Sequence, residues 1–291
     1  MERTEDEREL KGGVLYLVAT PIGNLEDMTF RAVRVLRDAD IIAAEDTRNS
    51  RKLLNHFDIK TPMTSYHEFN RFDKAEVLID KLSSGQSVAL ITDAGTPGIS
   101  DPGEVLVQMC VDRGIEVVPV PGAVAAVNAL IASGQKTRRF AFEAFLPQEK
   151  KELRSVLDEL KIERRTIIMY EAPHRLRKTL ELLEKELGSG RSVTVCKELT
   201  KKHEKFLKMS LGEAVELYKD TEPRGEYVLV IEGKPEEELT AERQAQWENM
   251  SLEEHLQKYI DEGMSKKEAI KMVAKERGIP KQDVYKVGIE L

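Results

Sequence analysis

At 291 residues, 41% hydrophobic and 33% charged, the chain is long enough for two domains and has the make-up of a soluble globular protein. No apolar run approaches a bilayer crossing, and the charged opening MERTEDEREL reads as no secretory signal. The net charge of −7 argues against nucleic acid only in bulk, and the two cysteines, Cys110 and Cys196, each alone in an apolar run, speak for a reducing cytoplasm and against a disulfide framework or zinc cluster.

Residues 1–12 read as a disordered tail. Val14 to Ala19 is a short apolar run and predicts a buried strand, closed by the turn Thr20-Pro21-Ile22-Gly23-Asn24. A helix carrying Phe30, Val33, Val35 and Leu36 follows. The strand Asp40 to Ala44 then delivers Glu45, Asp46, Thr47 and Arg48, and Leu53, Leu54 and Phe57 mark a second helix. After the polar-aromatic loop Ser65 to Asn70, a helix from about Phe72 to Leu82 leads into Val88 to Ile91. This apolar run stops abruptly in Thr92-Asp93-Ala94-Gly95-Thr96-Pro97-Gly98, with Ser100 and Asp101 beyond. So much Gly and Pro forces a sharp turn, and glycine lets backbone approach a ligand. Val105 to Cys110 is helical, Val117 to Val120 is a strand, and Pro121-Gly122 opens a small-residue helix over Ala123 to Ala132. Apolar strands alternating with helices predict a parallel sheet covered on both faces.

The polar stretch 133–136 marks the expected boundary between an N-terminal α/β domain, 13–134, and an α+β domain, 135–233. In the latter, strands are expected at Phe140 to Phe145, Thr166 to Tyr170, Ser192 to Lys197, Lys205 to Met209 and Tyr227 to Ile231. Helices are expected at Glu149 to Leu160 and about Arg175 to Leu187. Charge is uneven: residues 150–208 hold sixteen basic and ten acidic side chains, and 232–262 hold ten acidic and three basic. The first excess suits phosphate, and the second is an acidic linker, 234–250. A small helical extension, 251–291, closes the chain. Within it Ser265 and Glu268 form a capping-box signature, Gly278 a stop and Pro280 a new start. This pair of helices has the look of a helix-turn-helix, which either binds a partner or covers a core.

No Walker A loop, Cys/His metal set or GxSxG elbow is present, and Thr20-Pro21-Ile22-Gly23 stands where a dinucleotide fingerprint would. No metal is expected. What remains is a group of strand-exit loops, small and rich in Gly and Pro, of the kind that holds a ligand largely by backbone groups.

Eight stretches, in order, carry a resemblance: TPIGNLEDMTFRA (20–32), EDTRNSRKLL (45–54), SYHEFN (65–70), TDAGTPGISDPG (92–103), PVPGAVAAVNAL (119–130), YEAPHR (170–175), ELTKKHE (198–204) and GEYVLVI (225–231). Together they closely resemble the bacterial 16S rRNA cytidine 2′-O-methyltransferases, of the tetrapyrrole-methylase-like class of S-adenosylmethionine enzymes. The resemblance spans about 14–233, and the helical tail 265–285 is similar to one that many members carry. Ala172, where serine is usual, and Cys196-Lys197, where an arginine is common, depart from the pattern.

The resemblance implies a two-domain homodimer with S-adenosylmethionine in a cleft between the domains. Asp93, with Ala94 and Gly95, would hold the methionine end or the ribose, and Pro21, Ile22 and Thr96 would line the pocket. Gly122, Val124, Ala125, Tyr170, Gly225 and Glu226 would also contact the cofactor. The reaction would be in-line methyl transfer to a ribose hydroxyl, which alignment and a positioned base accelerate. Glu45, Asp46, His67 and Glu68 are the candidate bases, with His174 and Glu198 next; each is also suited to a cap or an ion pair. Arg48, Arg175, Lys201 and Lys202 are candidates for rRNA phosphates, and Tyr66 and Phe69 for stacking on a base. Two rivals stand beside this reading: a same-fold methyltransferase of a small tetrapyrrole-like substrate, and a non-catalytic RNA-binding assembly factor. The basic second domain and SYHEFN speak against the first, and the TDAGTP loop against the second.

Overall fold

Four short apolar runs of the first half, joined by one short polar strand, become five parallel strands in a computed structural model that describes residues 13–239, 241 and 250–289. They are β1 (Val14–Val18), β2 (Ile41–Ala44), β3 (Met63–Ser65), β4 (Val88–Ile91) and β5 (Glu116–Val120), in the order β3-β2-β4-β1-β5. The expected tail at 1–12 and most of the acidic linker lie outside the described residues. β3 escaped the sequence reading because three half-buried residues carry no periodicity.

The helices α1 (Phe30–Asp38), α2 (Thr47–His56), α3 (Arg71–Ser83) and α4 (Gly103–Asp112) cover this sheet. Alternate strand residues feed two separate cores. Val14, Tyr16, Val18, Ile42 and Ile91 pack with Ala32, Val35 and Leu36 of α1 and Leu54 of α2. Leu15, Ala43, Val88 and Leu90 pack with Leu78 and Leu82 of α3 and Leu106 and Cys110 of α4. α1 and α2 therefore lie on one face, and α3 and α4 on the other. Phe30, one of the apolar residues read in this helix, is 98% exposed: it is the first residue of α1, and Ala32, Val35 and Leu36 fill the inward face.

This arrangement positions the site. The helix after β4 lies on one face, while the helices after its neighbours β1 and β2 lie on the other. The exit of β4 is thus a topological switch point, where chain departs to both sides and leaves a crevice.

The second half forms a mixed sheet in the order β6-β7-β10-β8-β9. Its strands are β6 (Phe140–Ala144), β7 (Thr166–Glu171), β8 (Ser192–Lys197), β9 (Lys205–Ser210) and β10 (Tyr227–Ile231), with β6 parallel to β7 and the other pairs antiparallel. Helices α6 (Lys150–Ile162), α7 (Pro173–Leu187) and α8 (Leu211–Asp220) flank it. α8 went unforeseen, although Ser210 and Glu213 form its capping box and spell its start. Between the two sheets runs α5 (Ala125–Ala132). It follows β5 yet buries Ala126, Ala129 and Leu130 against Ile168, Val228 and Val230 of the second sheet. The polar stretch 133–136 lies between α5 and β6, and both sheets belong to one compact unit, residues 13–160 with Thr166–Ile231.

A second unit, Lys161–Arg165 with Glu232 onward, contains α9 (Leu252–Asp261), α10 (Lys266–Arg277) and α11 (Lys281–Ile289). These pack around Leu256, Ala269, Ile270, Val273, Ala274 and Val284. Ser265 and Glu268 cap α10 reciprocally, and Gly278 ends it in the left-handed region at φ 64°. Among the described residues, no helix is long and apolar enough to cross a membrane.

Candidate active site at the exit of β4

The loops leaving β1, β4 and β5 are stitched to one another by backbone. The Thr20 N–H donates to the Gly95 carbonyl at 2.8 Å, and the Gly95 N–H returns to Thr20 at 3.1 Å. Gly95 sits at φ 83°, a conformation that strains any residue with a Cβ. The Thr96 hydroxyl donates to the Ala123 carbonyl at 3.1 Å and ties the β4 loop to the β5 loop. Gly122 is there for a different reason: a Cβ on it would lie 2.6 Å from the Cβ of buried Ala19. Asp101 holds the remainder of the β4 loop, accepting N–H bonds from Gly98, Ile99 and Gly103.

Three carboxylates gather beside this seam. The Asp46 N–H donates to Asp93 Oδ1 at 3.1 Å, and the Thr92 hydroxyl donates to Glu45 Oε2 at 2.7 Å. Asp93 keeps one side open to solvent, but the loops crowd it. Lost hydration, together with the neighbouring Glu45 and Asp46 charges, pushes its pKa up despite the bond from Asp46. Asp46 goes the other way, to about 2, because Arg48 bonds and pairs with it.

The second sheet supplies the far wall. Tyr170, at the end of β7, accepts the Ala126 N–H at 3.2 Å and so holds the first turn of α5, whose N-cap, Val124, has no side chain able to cap it. The Tyr170 ring is held edge-on by Phe142 and Phe145 at centroid distances of 5.0 and 5.7 Å. Ile22, Val124, Ala125 and Tyr170 belong to one apolar cluster with α5. The loop after β8 closes in on Gly23 through Thr200 and Lys201. Glu198 and Thr200 stand at φ 53° and 65°, a conformation that non-glycine residues adopt at a cost. Gly225 and Glu226 reach the same loop, where the Glu226 N–H donates to Glu198 Oε1 at 3.0 Å.

Several residues singled out from the sequence are committed elsewhere. Tyr66 is only 1% exposed, and its hydroxyl donates to the Pro102 carbonyl at 2.9 Å, so it braces the β4 loop and is out of reach of an RNA base. The Arg175 guanidinium donates to the Leu146 carbonyl at 2.7 Å and pairs with buried Glu171, an internal role in place of a phosphate contact. Lys201 Nζ bridges Glu198 and Glu226 at 2.9 and 2.8 Å, so its charge is balanced inside the loop. Asp46 caps α2 and pairs with Arg48, and Glu68 pairs with Arg71. The His67 ring faces Asn70 through Nε2, with Nδ1 buried. Phe69, at 97% exposure, and Lys202 are open to solvent, as is the Arg48 chain beyond its ion pair, and His174 sits exposed in the first turn of α7. Thr20 and Thr92, which bond the β1, β2 and β4 exits together, were missed: a lone threonine ahead of a turn carries no distinguishing signal.

The family model described as tetrapyrrole (corrin/porphyrin) methylases matches residues 14–215. A protein of Halalkalibacterium halodurans named ribosomal RNA small subunit methyltransferase I is 51% identical over 275 residues, 94% of each chain. The protein of the same name from Bacillus subtilis is 48% identical, over 94% of this chain and 93% of its own. Among solved structures, a diphthine synthase superposes with a TM-score of 0.59 at 13% identity, covering 75% of this chain and 90% of that one. A Thermus thermophilus uroporphyrin-III C-methyltransferase complexed with S-adenosyl homocysteine gives 0.51 at 18%, covering 74% and 91%. At such identities these structures speak for the fold.

Proposed function

The chain belongs to the ribosomal RNA small subunit methyltransferase I family within the tetrapyrrole methylases, and from that premise we propose that it moves a methyl group from S-adenosylmethionine to the ribose 2′-hydroxyl of a cytidine in 16S rRNA. It is an S-adenosylmethionine-dependent methyltransferase of small-subunit rRNA. The observation that carries the reading is the seam at the β4 exit, where three parallel-strand loops meet the first turn of α5.

The residues present there suit the donor. Asp93 offers a carboxylate to an ammonium or a ribose hydroxyl. The turn 94–96 and Gly122 offer bare backbone, and Pro21, Ile22 and Val124 offer an aliphatic wall. The start of α5 suits a carboxylate, since it is the positive end of the helix and its N-cap, Val124, offers no side chain to the first turn, where Tyr170 takes the Ala126 N–H. Tyr170 keeps that turn in place, and Gly225 and Glu226 border the seam from the opposite side. Clustered Glu45, Asp46 and Asp93 favour a ligand carrying positive charge. When bound, S-adenosylmethionine supplies an electrophilic methyl on a sulfonium.

The chain contributes alignment of the hydroxyl with that methyl and acceptance of its proton. Of the four candidate bases, Glu45 is the one we assign. Asp46 and Glu68 are held in ion pairs, and the His67 ring is turned into the fold. Glu45 ends β2 at the switch point and accepts the Thr92 hydroxyl. Outside the seam, Phe69 is placed to stack on an unpaired base, and Arg48 and Lys202 to meet phosphate. The motif resemblance also supports a cytoplasmic homodimer, measurable by light scattering.

The test is transfer of label from S-adenosylmethionine to small subunits lacking the modification. Label on the ribose of one cytidine is the expected result. Donor binding with label on a small molecule and none on RNA would sink the reading.

A further inference from the structure

We propose that the groove between α10 and α11 is a second RNA-contact surface, which takes the phosphate backbone of the ribosomal substrate. It rests on the reading of small-subunit rRNA as the substrate. The groove has a volume of about 820 Å3, far more than one phosphate needs. Lys266, Lys267, Lys271, Lys281 and Lys286 line it, and among the described residues no acidic side chain does. Lys286 pairs with Asp283 at 3.4 Å; the other four form no ion pair among the described residues.

Where these lysines sit is the more telling point. Lys266 and Lys267 occupy the first turn of α10, and Lys281 is the first residue of α11. The N-terminal end of a helix is its positive end, so a cation there opposes the macrodipole and its fellow cations. Glu268, the one acid in the first turn of α10, is spent on Ser265 in the capping box. Lys267 and Lys271, four residues apart, project from the same face of α10. An anion spread along the groove would relieve all of these repulsions at once, and a chain of phosphates has that form.

The floor fits the rest of a nucleotide. Ile270 and Gly288 provide an apolar base, and Tyr285 is 57% exposed, offering a ring to a sugar or an unstacked base. The helices need no partner to bury their own apolar residues, since α9, α10 and α11 share a core. The lysine face is thus surplus to folding, and its charge matches the substrate that the reaction requires.

The experiment compares the full chain with the quadruple variant K266A/K267A/K271A/K281A. Binding to unmodified small subunits is measured between about 50 and about 200 mM salt. The slope of log affinity against log salt should become shallower by about 0.7–0.9 for each phosphate that is no longer neutralised, so by about 3 in all. KM for subunits should rise about tenfold or more, with kcat and donor affinity held. The four Lys→Arg replacements should behave as wild type. An unchanged slope in a variant with wild-type circular dichroism overturns the proposal. So does a change in oligomeric mass with RNA affinity kept, which would assign the groove to a second copy. Binding is read without turnover, so failure of the methyltransferase reading shows separately, as absent label with the wild-type chain.

Discussion

Tyr170→Phe removes a single oxygen and tests whether the second sheet holds the first turn of α5. The ring stays, with its edge-on contacts to Phe142 and Phe145. The lost group is the acceptor for the Ala126 N–H at 3.2 Å. A buried N–H left without a partner costs about 1–3 kcal/mol. This one is only part-buried, so the lower end applies, about 1 kcal/mol. That corresponds to a fall in Tm of about 2–4 °C in a unit of this size. If α5 must be in place for the donor, the same loss weakens donor binding by about fivefold. Burial pushes the Tyr170 phenol pKa up, so it stays neutral and the effect is flat from acid to mildly alkaline pH. Tyr170→Ala removes the ring as well and should cost about 3–5 kcal/mol. Differential scanning calorimetry and isothermal titration with S-adenosylmethionine read the two quantities. A Phe variant with unchanged Tm and unchanged donor affinity would refute the argument that the phenol anchors this turn.

Gly122→Ala drives a Cβ to 2.6 Å from that of Ala19, and should cost about 1–3 kcal/mol in chemical denaturation and weaken donor binding. Asp93 has a raised folded-state pKa, so its penalty on stability is absent below the usual carboxylate value of about 3.8 and sets in as pH rises through the folded value. Asp93→Asn should therefore be slightly more stable than wild type at neutral pH and equal to it in acid, while donor binding falls at least about tenfold; lower stability at neutral pH would contradict the sign. Ser265→Ala removes the hydroxyl that accepts the Glu268 N–H, leaving the reciprocal backbone bond to the Glu268 carboxylate, and should lower local stability by about 1 kcal/mol, seen as faster hydrogen exchange in α10 with exchange in β1–β5 unchanged. Burial pushes the Cys110 and Cys196 thiols up to about 11 and about 12, so neither should react with iodoacetamide at mildly alkaline pH until the chain is unfolded.

Most strands and helices were legible because each one's signal is local. Val14 to Val18 and Val88 to Ile91 are apolar throughout, as strands buried on both faces must be. Ser265, Glu268 and Gly278 bracket α10 by capping chemistry alone. The exit loops, too, could be recognised as the place for a ligand, since Gly and Pro at strand ends leave little else to propose. Single side chains inside those loops were not legible. Tyr66 and Phe69 lie three residues apart in one polar-aromatic stretch, yet one is buried on the Pro102 carbonyl and the other stands in solvent. Arg175 and Lys201 look from the sequence like free cations, and become internal partners only when Glu171, Glu198 and Glu226 are brought beside them.

The sequence alone determined where the backbone must turn and which runs must be buried, because steric freedom and hydrophobicity belong to a residue and its near neighbours. Only the tertiary structure decided which face each helix takes, and hence that the crevice opens at the β4 exit. It also decided that five lysines on two helices share one groove, because a charge's partners are set by residues distant in the chain.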